Sequence, residues 1–207
     1  MKRKPMLLKR LSESPYNKDK ITIGLIGINR GVGVTYTGML LASYFGEEKR
    51  MKTAYLECNN HMDFEMLQGA YEWSNEKDNC FELDKTTYYK QVSYKQIPEI
   101  LGQTYDCYIL DFGTDYRDAI DEFIRCGNKI IVGGTAIWNR IRMVSFIKNM
   151  ESIKGSRNWI HMIPHAKGSF IRGLCNETNR CFFSIPYEPG PTSLSKDTIK
   201  LLNSLFG

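Results

Sequence analysis

The sequence predicts a three-layer α/β fold: a mostly parallel twisted sheet of about seven strands with helices on both faces. Three observations carry this. Short apolar runs alternate with amphipathic segments along the chain, the pattern of right-handed strand-helix-strand crossovers. An apolar run from Ile21 enters a glycine-rich turn, Gly31-Val32-Gly33, and then a helical segment. A second apolar run, Tyr105-Asp-Cys-Tyr-Ile-Leu-Asp111, ends in a carboxylate where ligands of open α/β sheets bind.

Taken in order, strands are expected at 21–27, 52–58, 86–92, 106–111, 129–134, 157–163 and 181–185. Helices are expected at 34–46, 61–70, 94–103, 116–126, 138–152 and 193–205. Glu47-Glu48-Lys49-Arg50 reads as a solvated turn, and 71–85, with Asn75, Asp78 and Asn79, as an exposed excursion. Trp138, Met143, Phe146, Ile147 and Met150 follow helical spacing, ordinarily a packing face.

The turn after the first strand has the outline of a phosphate-binding loop. In the pattern G-x-x-x-x-G-K-[ST], backbone amides wrap phosphates, Lys reaches the β/γ-phosphates and the hydroxyl residue holds Mg²⁺. Here Gly33 and Thr35 align, but Ile28 falls at the first glycine and Val34 at the lysine. Glycines at 31 and 33 permit the positive φ of a tight turn. The helix beginning at Val34 presents free amides and a positive dipole end to the same pocket. The expected phosphate-binding residues are therefore Asn29, Arg30, Gly31, Val32, Gly33, Val34, Thr35 and Tyr36. Asp111 is expected opposite Thr35, the two together holding Mg²⁺, and Gly113 is expected to let the following loop move toward a γ-phosphate.

Composition narrows the field. The 207 residues fit one domain with a proper core, and no apolar run approaches the roughly 20 residues of a membrane span. Six cysteines without a C-x-x-C pair fit a reduced, cytoplasmic chain. The net charge of +5 lies in residues 1–20, read as a basic, flexible N-terminal arm, while 21–207, read as the domain, is neutral. Residues 2–20 offer a contact to an anionic membrane or to nucleic acid.

The chain resembles the MinD/ParA group of deviant-Walker P-loop ATPases, the group that includes the TadZ/CpaE-like pilus-positioning proteins. The similarity runs over about 21–205. Lys52-Thr-Ala-Tyr-Leu-Glu-Cys58 fills the second strand, with Glu57 at its carboxylate position, and Ile130-Ile-Val-Gly-Gly-Thr135 matches a later strand-helix unit. Phe183-Ser-Ile-Pro-Tyr-Glu-Pro189 resembles the segment that passes the adenine. The resemblance implies a P-loop NTPase domain that binds ATP or ADP with Mg²⁺, forms a homodimer and serves a larger protein assembly, cytoplasmic or peripheral at the inner membrane face. It also implies that Pro186 and Tyr187 lie near the base, that Glu57 and Gly113 act as switch residues, and that Asp111 is catalytic if the protein hydrolyses nucleotide.

Three functions follow. With Val34 in place of the lysine, the first is a nucleotide-binding switch or pseudo-ATPase that positions or assembles a bacterial cell-surface or secretion machine. A preorganised charge on a transferring phosphoryl group is worth about 10²–10³ in rate, so hydrolysis is expected to be slow or absent. The second is an active ATPase in which Arg30 or a partner residue supplies the charge. The third is a Rossmann-type dinucleotide domain with Glu57 on the ribose, although Tyr36 stands where its third glycine belongs.

Overall fold

The computed structural model describes residues 20–70, 76–77 and 79–207. The arm expected at 1–20 therefore lies outside the described residues except for Lys20. That residue is anchored: its ammonium donates to the carbonyls of Leu101 and Gln103 and to the Tyr108 hydroxyl.

Among the described residues nine strands form one sheet, in the order β3-β4-β5-β2-β6-β1-β7-β8-β9. β1 (Ile21–Gly27) is central, paired in parallel with β6 (Cys107–Asp111) and β7 (Asn128–Val132). β2 (Thr53–Glu57) joins β6 to β5 (Thr86–Tyr89), and β8 (Ile160–Pro164) and β9 (Phe182–Ile185) extend the other side, all parallel. These strands are buried on both faces, as crossover helices require. Along β1, Ile23 and Leu25 enter one core layer and Ile26 enters the other.

The expected strand count was low by two. β3 (Glu76–Lys77) and β4 (Cys80–Leu83) fall in the stretch read as an exposed excursion and add an antiparallel edge beside β5. In β4, Phe81 and Leu83 point into the core while Glu82 points to solvent. Phe81 stacks on Tyr88 with ring centroids 5.1 Å apart. A four-residue alternation of this kind is too short to stand out among the polar residues around it.

Helices cover both faces: α1 (Val34–Ser43), α2 (Asp63–Ala70), α3 (Ile97–Leu101), α4 (Tyr116–Arg125), α5 (Ile137–Met150), α6 (Gly168–Thr178) and α7 (Lys196–Phe206). A single π turn, Tyr44–Glu48, continues α1. α6 is absent from the expected elements because Gly168 and Gly173 weaken its helical signal and only Leu174 is fully buried on it. The expected strand at 86–92 stops at Tyr89, where Lys90, Gln91 and Val92 turn away; Gln91 has φ 47°. Their amides go instead to Asn79 and Glu57.

Candidate functional site: a phosphate loop facing paired carboxylates

The site forms at the carboxyl edge of the sheet, where β1, β2 and β6 release their chains. After Gly27 the backbone turns through Gly31 (φ 80°) and Gly33 (φ 91°) into α1. A β-carbon at Gly31 would meet nothing within 4 Å, so the loop crest faces open space. Gly33 caps α1 without a side chain. Among the described residues, the amides from Asn29 to Tyr36 meet no protein acceptor with good hydrogen-bond geometry, and the first such bond of the helix runs from Thr37 N to Gly33 O at 2.9 Å. Unsatisfied amides converging at a helix N-terminus form an anion cup.

Val32 and Val34 are buried, and a β-carbon at Gly27 would touch both. Their amides belong to the loop while their side chains belong to the packing beneath it. The position of the expected lysine is thus occupied by core. Arg30 is exposed on the rim. Asn29 donates to the Arg30 carbonyl at 2.9 Å, and its own carbonyl oxygen is buried with no partner among the described residues.

Thr35 and Asp111 meet as expected: Thr35 Oγ1 lies 2.8 Å from Asp111 Oδ2. Sequence reasoning missed the third member, Asp63 at the start of α2, whose Oδ2 is 2.9 Å from the same hydroxyl. A hydroxyl has one proton, so it satisfies one carboxylate at a time. Asp111 is fully buried and also accepts from the Gly113 amide at 2.8 Å, Asn59 Nδ2 at 3.2 Å and the Tyr55 hydroxyl at 3.2 Å. Burial pushes its carboxyl up to about 6, against the lowering effect of the bonds from Gly113, Thr35 and Tyr55. Burial raises Tyr55 well above the phenolic range, and neighbouring Asp111 adds to the effect, so the phenol remains a donor.

A cluster of hard oxygens with two carboxylates and one hydroxyl suits Mg²⁺. Thr35, Asp111 and Asp63 are the residues that would hold it. Asp63 left no signal in the sequence because it follows an irregular stretch, Asn59-Asn60-His61-Met62, in which Met62 adopts φ 59°.

Gly113 has φ 64°, and its carbonyl accepts from Gly27 N at 2.8 Å, tying the loop after β6 to the base of the phosphate loop. Glu57 pairs in register with Asp111, but its carboxylate is taken up by the amides of Phe64 and Gln91, both at 3.2 Å. Burial raises it from the usual carboxylate range, partly offset by those amides. Glu57 is buried at 1% exposure, so its carboxylate is not presented to the ribose contact that a dinucleotide reading needs.

On the other side of α1, Tyr36 donates to the Glu188 carbonyl at 3.0 Å and packs edge-on against His165, 5.9 Å between centroids. His165 in turn lies 5.4 Å from Tyr187, which is 73% exposed. The segment Pro186-Tyr187 thus sits beside the start of α1, with His165 completing an aromatic ledge that the sequence did not reveal.

No protein-family model matches the sequence, and neither does any curated protein. Solved structures share its architecture at low identity. A putative plasmid partition protein from Borrelia burgdorferi bound to AMPPNP has a TM-score of 0.62 at 14% identity, covering 90% of this chain and 96% of that one. A chain of the MinC:MinD cell division protein complex from Aquifex aeolicus gives 0.62 at 14%, covering 89% of this chain and 85% of that one. A ParA family ATPase from Chlorobium tepidum gives 0.57 at 14%, covering 82% and 84%. The fold is that of ParA- and MinD-type P-loop ATPases. The shared architecture places β1, the loop and α1 at the centre of the sheet, with Asp111 on the adjacent strand.

Proposed function

We propose that the protein is a ParA/MinD-type nucleotide-binding switch that holds ATP or ADP with Mg²⁺ and turns it over slowly or not at all. The observation that carries this reading is a turn whose amides from Asn29 to Tyr36 have no protein acceptor among the described residues and whose Thr35 hydroxyl meets Asp63 and Asp111. The amides supply the phosphate cup and the oxygens the metal site, whereas the cation that would stabilise the transferring phosphoryl group is replaced by buried Val34. Binding needs the cup and the metal; turnover needs the missing charge as well.

In this reading Asp111 orders the site around Thr35, and the Gly27–Gly113 bond carries its state into the loop after β6. Pro186, Tyr187 and His165 flank the base, and Glu57 fixes the end of β2 against α2. The protein works as a homodimer with protein partners, and among bacterial machines a cell-surface or secretion assembly of the TadZ/CpaE-like kind is the reading the resemblance favours. Titration calorimetry with ATP and Mg²⁺, run beside a phosphate-release assay, tests it. Binding without appreciable release supports the switch, and brisk release that disappears on substituting Arg30→Ala supports an active enzyme instead.

A further inference from the structure

The amino edge of the sheet, at the opposite end of the strands from the phosphate loop, holds a separate cavity of about 250 Å³ where β7 and β8 begin. Lys129 on β7 and Lys154 in the turn after α5 line it beside Asn128, and no Asp or Glu is among its lining residues. Asn128 is only 4% exposed, yet its side-chain Nδ2 has no acceptor among the described residues. A buried donor left unmatched costs about 1–3 kcal/mol, which an incoming oxygen would recover.

The cations are uncompensated as well. Lys129 is partly buried and its ammonium donates to the Cys126 carbonyl, but among the described residues neither it nor Lys154 forms an ion pair. Burial lowers the Lys129 pKa from the ordinary lysine value, and neighbouring Cys126 offsets only part of this. The carboxylates nearest in sequence, Glu122 and Glu151 at the ends of α4 and α5, are taken by Arg125 at 2.9 Å and Arg180 at 3.9 Å. The remaining wall is apolar and fixed: Trp159 and Ile160 are 7% and 8% exposed, and the Trp159 ring stands edge-on to Phe123 at 5.1 Å. On the side of Gly155 a β-carbon would meet nothing within 4 Å, so the cavity opens to solvent there.

We propose that this cavity is a second binding site, for a small organic anion whose carboxylate or phosphate head is held by Lys129, Lys154 and Asn128 and whose apolar body lies against Trp159. Two ammonium groups without carboxylates and an amide donor without an acceptor select an oxyanion. Water could take the donors but would leave two like charges unneutralised. The volume is close to the lower end of small-molecule sites, about 300 Å³, which suits a compact ligand with one apolar face and one charged end. Because the cavity lies far along the strands from Gly31–Thr35, the proposal does not depend on what the phosphate loop binds.

The test is calorimetric titration of the full chain with three probes that share one ring: phenylacetate, phenyl phosphate and the neutral phenylacetamide. At least one anion is expected to bind, and the amide is not; which anion binds more tightly tells a carboxylate head from a phosphate head. Lys129→Met should weaken the anion at least about tenfold, the scale of one hydrogen bond to a charged group. Lys154→Gln, on the exposed rim, should weaken it about twofold to fivefold without changing the melting temperature, so the test stands even if Lys129→Met fails to fold. Asn128→Asp, which sets a carboxylate of the same size among the cations, should abolish binding. Three outcomes overturn the proposal: neither anion binds, the amide binds as tightly as the anions, or anion binding is undiminished in Lys154→Gln and Asn128→Asp. Binding of that last kind that ATP displaces would belong to the phosphate loop instead.

Discussion

Thr35 and Asp111 face each other at 2.8 Å across the carboxyl edge of the sheet, although 76 residues separate them in sequence. β1 and β6 are hydrogen-bonded neighbours, so the first turn of α1 and the end of β6 arrive at the same place. Removing the hydroxyl should therefore remove a metal ligand while leaving the packing alone. Thr35→Ala is expected to lower nucleotide affinity in Mg²⁺ at least about tenfold, the scale of one hydrogen bond to a charged group, and to abolish its Mg²⁺ dependence. Calorimetry with and without the metal, beside a thermal melt that shifts little, checks this.

Asp111→Asn separates stability from binding. Because burial holds the carboxyl near 6, the folded state bears the cost of an ionised buried group above that pH. The amide avoids it, so the free variant should melt at or above the unaltered protein at pH 7.5. Mg²⁺-dependent nucleotide binding should nonetheless be lost. A variant that binds Mg-nucleotide normally would remove Asp111 from the metal site.

His161 gives an acid-side dependence. It is buried on β8, its Nδ1 has no partner among the described residues, and burial lowers its pKa to about 4. The unfolded chain takes up this proton near pH 6.5 and the folded chain only near 4, so stability should fall as pH drops through that window. The loss amounts to about 3 kcal/mol in full. Denaturant midpoints from pH 7 to 4 should show it, and His161→Leu should flatten that part of the profile.

Tyr187 tests the base ledge. Its exposure means that Tyr187→Ala should leave stability unchanged. Stacking on a base is worth about 1–3 kcal/mol, so ATP affinity should fall roughly fivefold to a hundredfold. Affinity for inorganic triphosphate should not move. Equal losses for both ligands would place Tyr187 elsewhere.

Gly38→Ala sets two effects against each other. Alanine within a helix normally gains about 1 kcal/mol over glycine. Here its β-carbon would lie 1.9 Å from the Tyr55 hydroxyl, which is fully buried and bonded to the Thr35 carbonyl and to Asp111. The clash wins, with an expected loss of about 1–3 kcal/mol. It should also weaken Mg-nucleotide binding, because Tyr55 cannot yield without disturbing both site residues.

The sequence by itself determined the alternating α/β architecture, the positive-φ turn at Gly31 and Gly33, and the pairing of Thr35 with Asp111. Each rests on local chemistry: apolar runs long enough to be buried, glycines where the backbone takes φ of 80° and 91°, and a carboxylate closing a buried strand. Only the tertiary structure decided that Asp63 joins Thr35, that His165 backs Tyr187, that Glu57 is consumed by amides of Phe64 and Gln91, and that Trp138 faces outward. Those depend on loops without periodicity and on which side of a helix finds a neighbour. β4 and α6 were hidden for a related reason, since a short alternation and a glycine-interrupted helix become stable only against the sheet that receives them.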